Sequence, residues 1–298
     1  MIKLTNSNFC CCLEKALAAS PPRSTEAAVV SSIIASVYIP PRPALLLALQ
    51  REIGQLDPQL KRIAQLISRD VAMAGKLLQA ANSASFALPR QIDSVDDALA
   101  MIGMYQCSAI MTGLITRTLM GNGRMMMARF WDVSEKRAKG MAFLAASTGV
   151  APSELGHTFG LFCDIGIPLM KAHFPTYLQT LSVANLAAGT AFTDIEQQRH
   201  GTDHAVVGAT LAEQWGIDAA IVATIRRHHD YDALYDETVP ATVRGLLASN
   251  LVVEKAIQEV RGEAASLEWQ AGGEIAADAL CMTAQEVETA CQEVKRQF

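Results

Sequence analysis

The chain has 298 residues, half of them apolar, with 25 Lys and Arg against 30 Asp and Glu and a formal net charge of −5. That length can bury one large core or two modest ones. The mildly acidic balance argues against a general nucleic-acid binder, which carries a basic stripe, and the apolar segment 27–39 falls short of the ~20 residues a membrane-spanning helix needs.

Seven cysteines (Cys10, Cys11, Cys12, Cys107, Cys163, Cys281 and Cys291) make an odd number with no CxxC pair. Neither a disulfide framework nor a zinc knuckle fits that spacing, so a reducing compartment is expected. No signal peptide is read at the N-terminus, and a cytoplasmic location follows as the expectation.

Residues 1–36 read as a lead-in, interrupted at Ser20-Pro21-Pro22-Arg23-Ser24. Cys10, Cys11 and Cys12 read as a partly buried helix start, with palmitoylation or metal binding as the alternatives. Ile39-Pro40-Pro41-Arg42-Pro43 is a rigid extended approach. Helical spacing then takes over. Leu45, Leu46, Leu49 and Ile53 form one stripe. Asp57-Pro58 reads as a helix start, with Leu60, Ile63, Ala64 and Ile67 on its core face. Asp70 can cap the next helix, which buries Val71, Ala74, Leu77, Leu78 and Ala81 and ends near Asn82-Ser83-Ala84-Ser85. Ser94 caps a helix that runs to Gly103, and a further apolar helix runs to about Met120.

Gly121-Asn122-Gly123 reads as a joint between two helical subdomains. A long helix over residues 131–147 turns Ala138, Met141, Ala142 and Ala145 inward and stops at Gly149. Pro152-Ser153-Glu154 starts the next helix, and Pro175 separates two later ones. Thr193 and Glu196 read as a capping box. Asp203 caps a helix whose inner face is His204, Gly208, Leu211 and Trp215. A helix over 219–229 follows, Pro240 opens another, and Thr283 to Glu286 forms a second capping box. No segment alternates in strand fashion, so the chain reads as all-α.

One stretch demands an explanation. Gly160-Leu161-Phe162-Cys163-Asp164-Ile165-Gly166 is an apolar run with glycine shoulders and a carboxylate inside it. A buried Asp is costly unless it is paired, hydrogen-bonded or metal-bound. Six histidines exist, and four of them lie between His200 and His229. His157, His173 and His200 read as surface or boundary residues.

Five segments in order resemble the HDOD domain, a relative of the HD phosphohydrolases. They are Ile39–Pro43; Leu66-Ile67-Ser68-Arg69-Asp70 with Leu77-Leu78-Gln79-Ala80-Ala81-Asn82-Ser83-Ala84; Ile92-Asp93-Ser94-Val95-Asp96-Asp97-Ala98-Leu99-Ala100-Met101-Ile102-Gly103; the Asp164 stretch; and Glu196, Gly201, His204, Val207-Gly208-Ala209, Trp215 and His228-His229. The resemblance implies a helical N-terminal half (37–121) packed on an HD-like five-helix half (122–235). Residues 236–298 remain as a C-terminal helical extension.

In the HD enzymes the corresponding half binds one or two metals through a His, a His-Asp pair, further histidines and a late Asp. Carried onto this chain, those positions fall on Val133, on Cys163 and Asp164, on His204, His228 and His229, and on Asn250. Val133 supplies no ligand, Asn250 only a neutral oxygen, and Cys163 sits in an apolar setting that suits a small hydrophobe better than a thiolate. The expectation is therefore a degenerate, non-catalytic site of Cys163, Asp164, His204, His228, His229 and Asn250, with no cofactor. Any residual divalent metal would fall to Asp164, His204, His228 and His229. By resemblance the chain is expected to be a signal-transduction protein acting on other signalling proteins, with no nucleic-acid or membrane partner. A nucleotide-type ligand at Arg226-Arg227-His228-His229 is the alternative to a plain helix-end contact. The second functional expectation is a metal-dependent phosphohydrolase with an altered ligand set.

Overall fold

A computed structural model describes residues 23–36, 44–69, 71–82, 90–119, 124–187, 192–262 and 267–298. Among these the chain is helical throughout, with no strand. Cys10–Cys12, the approach at 39–43, Asp70, Ser83-Ala84-Ser85 and the joint at 121–123 lie outside the described residues.

The first helices are α1 (Arg23–Ser36), α2 (Ala44–Ile53), α3 (Leu60–Ser68), α4 (Val71–Ala81), α5 (Val95–Ile102) and α6 (Met104–Leu119). Their core faces follow the 3.6-residue period: Leu49, Ile63, Ala64, Ile67, Leu77 and Ala81 are buried. Ser94 caps α5 by accepting from the Asp97 N–H, and Gly103 ends it at φ +83°. Two expectations shift here. Gln59, not Asp57, is the N-cap residue of α3, and the Asp57 carboxylate instead accepts from the Gln59 side chain. Leu60, at the first position of α3, faces solvent rather than the core. The segment read as a lead-in also contains α1, which buries Val30 and Ile33 and packs on the helices α9 and α12 defined below.

The second group is α7 (Arg124–Thr148), α8 (Ser153–Phe162), α9 (Gly166–His173), α10 (Tyr177–Ala184), α11 (Phe192–His200), α12 (His204–Gln214), α13 (Ala219–Arg227), α14 (Ala241–Val260), α15 (Leu267–Ala279) and α16 (Ala284–Lys295). A 3-10 turn over Tyr231–Leu234 links α13 to α14. Helix α7 packs against α8 and α14, α12 packs against α9 and α13, and α15 and α16 cover α14. Phe162 meets Trp215 edge-on at 6.0 Å between ring centroids, tying α8 to the end of α12.

The two glycine shoulders of the Asp164 stretch have a steric reason. A Cβ on Gly160 would sit 2.6 Å from the Arg137 carbonyl oxygen of α7, and one on Gly166 would collide with the His204 carbonyl of α12. Backbone therefore touches backbone on both sides of Asp164, and only glycine permits it. The expected capping box at Thr283 and Glu286 is present. The one at Thr193 and Glu196 is not. Thr193 lies inside α11, and the Glu196 carboxylate is fully buried and turned toward α12 instead.

Candidate functional site

Asp164 lies in the tight turn between α8 and α9, so its carboxylate leaves the helix ends and faces three other elements. Its Oδ2 accepts from Arg137 Nη1 at 2.5 Å, and Arg137 also donates through Nη2 to the Glu254 carboxylate of α14. On the other side, Asp164 Oδ1 stands 3.3 Å from His228 Nε2 and 3.7 Å from His204 Nε2. Burial pushes this carboxyl up, but Arg137, then His228 and His204, outweigh it and hold it well below the usual carboxylate range.

Arg137 was not legible as a site residue, yet the helix period locates it. It stands one turn beyond Val133 on α7, as Glu254 stands one turn beyond Asn250 on α14. A pair four residues apart shares a helix face. The positions that the resemblance assigns to ligands thus carry Val133 and Asn250, while the next turn of each helix supplies a cation and an acid. Burial works against the Arg137 charge, and Asp164 and Glu254 hold it in place. Asn250 is buried, and its Oδ1 has no hydrogen-bond partner among the described residues.

His204 opens α12, where Asp203 caps the helix by accepting from the Val206 N–H. Its Nδ1 lies 2.6 Å from Glu196 Oε2, and its backbone N–H donates to the same carboxylate at 3.2 Å. Glu196 also accepts from the Tyr177 hydroxyl. Burial pulls the His204 imidazolium down, while Glu196 beside it raises it, with a net upward shift.

His228 ends α13. Its Nδ1 faces the Ile225 carbonyl at 2.7 Å. Burial lowers its imidazolium and the neighbouring Cys163 and Asp164 raise it, to about 9. His229 points its Nδ1 at Glu268 Oε1 of α15, 2.7 Å away, and its ring lies parallel to Phe192 at 5.4 Å between centroids. The three Nε2 atoms converge: His204 to His228 is 3.1 Å and His204 to His229 is 3.2 Å.

Of the six expected residues, the structure brings Cys163, Asp164, His204, His228 and His229 into one cluster. Cys163 is fully buried, and burial first of all pushes its thiol up, which keeps it protonated at neutral pH. The sequence reading missed Arg137, Glu254, Tyr177, Glu268 and Phe192 as neighbours, and it took Glu196 for a cap. Arg226 and Arg227 stay outside the cluster. They are about half-exposed and pair with Glu213 at 4.0 Å and Asp230 at 3.1 Å.

An all-helical chain with a central acid in an inter-helix turn, facing histidines from two later helices, has the architecture of the HD-type fold. The family model for the HDOD domain matches residues 39–231, and the chain belongs to that family. It is 26% identical over 212 residues to an uncharacterized protein of Treponema pallidum (strain Nichols). That match covers 68% of this chain and 40% of the relative, so the chain spans well under half of the relative's length.

Among solved structures it is similar to an HDOD domain protein of unknown function from Geobacter sulfurreducens (TM-score 0.68, 18% identity, 92% of this chain and 97% of that one). It is also similar to a Marinobacter aquaeolei VT8 protein provisionally named a signal transduction protein (TM-score 0.68, 18% identity, 92% and 63%). A third is a Shewanella amazonensis SB2B protein provisionally named a phosphohydrolase (TM-score 0.62, 20% identity, 91% and 98%). At these identities the likeness establishes the fold. Among the described residues no helix is long and apolar enough to cross a membrane.

Proposed function

We propose that the chain is a cytoplasmic regulatory protein that acts by binding other signalling proteins, with an HD-type core that does not hydrolyse phosphoesters. One observation carries the reading: Arg137 bonds Asp164 and is itself fixed by Glu254. The carboxylate that an HD enzyme uses to hold its ion is here neutralised by a guanidinium. A guanidinium offers no open coordination position and cannot lower the pKa of a bound water. Val133 adds no donor, Asn250 adds a neutral oxygen, and the Cys163 thiol is held protonated. The name given to the Marinobacter protein agrees with a signalling role.

Binding would act by shifting populations between helical arrangements, with the partner favouring one of them. A nucleotide-type ligand is the second class of partner, and the Arg226-Arg227-His228-His229 segment is where its phosphate would dock. Neither nucleic acid nor membrane is proposed as a partner, given the acidic balance.

The competing reading, a metal-dependent phosphohydrolase with an altered ligand set, draws on the convergence of three imidazoles. Turnover separates the two. Protein supplied with Mn2+, Fe2+ or Zn2+ is offered cyclic dinucleotides and a generic phosphoester. We expect release no greater than that of the Asp164→Ala variant. Turnover that this substitution abolishes would overturn the proposal.

A further inference from the structure

Helix α1 lies outside residues 39–231, which match the family, yet it packs on α9 and α12 of the second helical group. Prolines at positions 40, 41 and 43 separate it in sequence from α2. It is a discrete segment seated on a distant part of the chain.

Its own helical tendency is weak. Five of its fourteen residues, Thr25, Val29, Val30, Ile33 and Ile34, are β-branched, and four more are serine. β-Branched side chains lose rotamer freedom in a helix, and serine competes for backbone hydrogen bonds. An isolated helix of this length is marginal in water even when rich in alanine. The seat on α9 and α12 therefore makes the helix. Ile33 is fully buried and Val30 nearly so, and both join the main core. Val29 is partly buried, and its Cγ2 stands 3.7 Å from where a Cβ on Gly201 would sit, in the bend before α12. Ala27, Ala28, Ser31 and Ser32 are exposed. One narrow stripe, spaced i, i+1 and i+4, holds the segment.

The seat adjoins the Asp164 cluster. Helix α9 starts at Gly166 and α12 at His204, and their backbones touch there. A segment resting on both helices bears on that contact. Thr202, next to Gly201, is fully buried, and its hydroxyl has no hydrogen-bond partner among the described residues. A buried orphan hydroxyl is costly, and a movement that hydrates it is eased.

We propose that the face of α9 and α12 beneath α1 is a helix-docking surface, held in cis by α1 and taken over by a partner protein's helix. That helix carries β-branched aliphatic side chains at i, i+1 and i+4 with small residues between them. Recognition of a helix in a groove reads apolar anchors at such spacing. A tethered occupant has an effective concentration on the order of 1 mM, so α1 lowers the apparent affinity of any competitor. Release of α1 is then the population shift by which the partner reaches the cluster.

The partner's helix rests on the binding-module reading, whereas the groove itself does not. The experiment uses the full chain and a fluorescein-labelled peptide of residues 23–36. Ile33→Asp puts a charge on the core face of α1 and should speed amide exchange across α1 by at least about 10-fold, while α7, α8 and α14 keep wild-type protection. Ser31→Pro, at an exposed position, breaks the helix without placing a charge in the core and should do the same. Each variant should bind one peptide per chain, and the wild type should bind it at least about 10-fold more weakly. A peptide carrying Val30→Asp and Ile33→Asp should bind none of them.

Failure of the peptide to bind either variant overturns the groove and leaves the binding-module reading standing. Equal binding to wild type and variants seats the peptide elsewhere and overturns it as well. Loss of protection in α7, α8 and α14 together with α1, in both variants, makes α1 an integral part of the core and also overturns it. Phosphoester turnover that Asp164→Ala abolishes overturns the binding-module reading and leaves the groove in place.

Discussion

Glu196 Oε2 lies 2.6 Å from His204 Nδ1, and the same carboxylate collects the Tyr177 hydroxyl and the His204 backbone N–H. One fully buried acid thus fastens α10, α11 and α12 together. Burial disfavours its charge, and His204 and then Tyr177 restore it, so it titrates below its ordinary value. Glu196→Gln keeps the shape and removes the charge. Hydrogen bonds to charged groups are worth about 1.5–3 kcal/mol, and we expect a loss of about 2 kcal/mol in urea unfolding. Tyr177→Phe, which leaves Glu196 its other donors, should cost about 1 kcal/mol.

The glycine contacts predict a graded series. Gly166→Ala drives a Cβ into the His204 carbonyl, which is backbone and cannot step aside. It should cost about 3 kcal/mol or more. Gly113→Ala meets the Leu161 side chain first, at 2.7 Å, and should cost clearly less. Gly75 lies inside α4 with nothing within 4 Å of the added carbon, so Gly75→Ala should stabilise by about 0.5–1 kcal/mol. Thermal melts of the three variants check the order.

His157 on α8 predicts an acid limb. Its Nδ1 is enclosed without a hydrogen-bond partner among the described residues, and burial lowers its imidazolium to about 4. The unfolded chain takes up the proton near 6.5 and the folded chain only near 4. Above pH 6.5 both states are neutral and the residue contributes no pH dependence. Between 6.5 and 4 stability falls with falling pH, and below 4 the loss is complete, at most ~3 kcal/mol. His157→Leu should be neutral or stabilising at pH 7. It should also lose less stability than the wild type between pH 7 and pH 4.5, measured by urea midpoints. Parallel curves would contradict this.

Local signals in the chain were readable where a side chain serves its own helix. Ser94, Asp203 and Thr283 cap as expected, each oxygen accepting from an N–H in the first turn of its own helix. The same reasoning failed at Glu196, whose carboxylate has stronger partners in Tyr177 and His204 than any amide of α11. The positions of Asp164, His204, His228 and His229 were legible through the family resemblance. The Arg137–Glu254 pair was not, because 117 residues separate its members and neither belongs to a local motif. Helical period alone would have put Arg137 on the face of Val133. It could not say that Asp164 would fold back onto that face, since that depends on the close backbone contacts at Gly160 and Gly166.

The ion pair between Arg137 and Asp164 is the centre of the account, and a double-mutant cycle measures it most directly. Arg137→Met leaves Asp164 and Glu254 as partly buried charges without their partner and should cost about 3 kcal/mol. Asp164→Asn frees part of the guanidinium and should also destabilise. The double variant should lose less than the two single losses together, with a coupling of about 2 kcal/mol or more. Losses that add to within about 0.5 kcal/mol would mean that the guanidinium does not hold the central acid, and the case for a neutralised, non-hydrolytic site would fall with it.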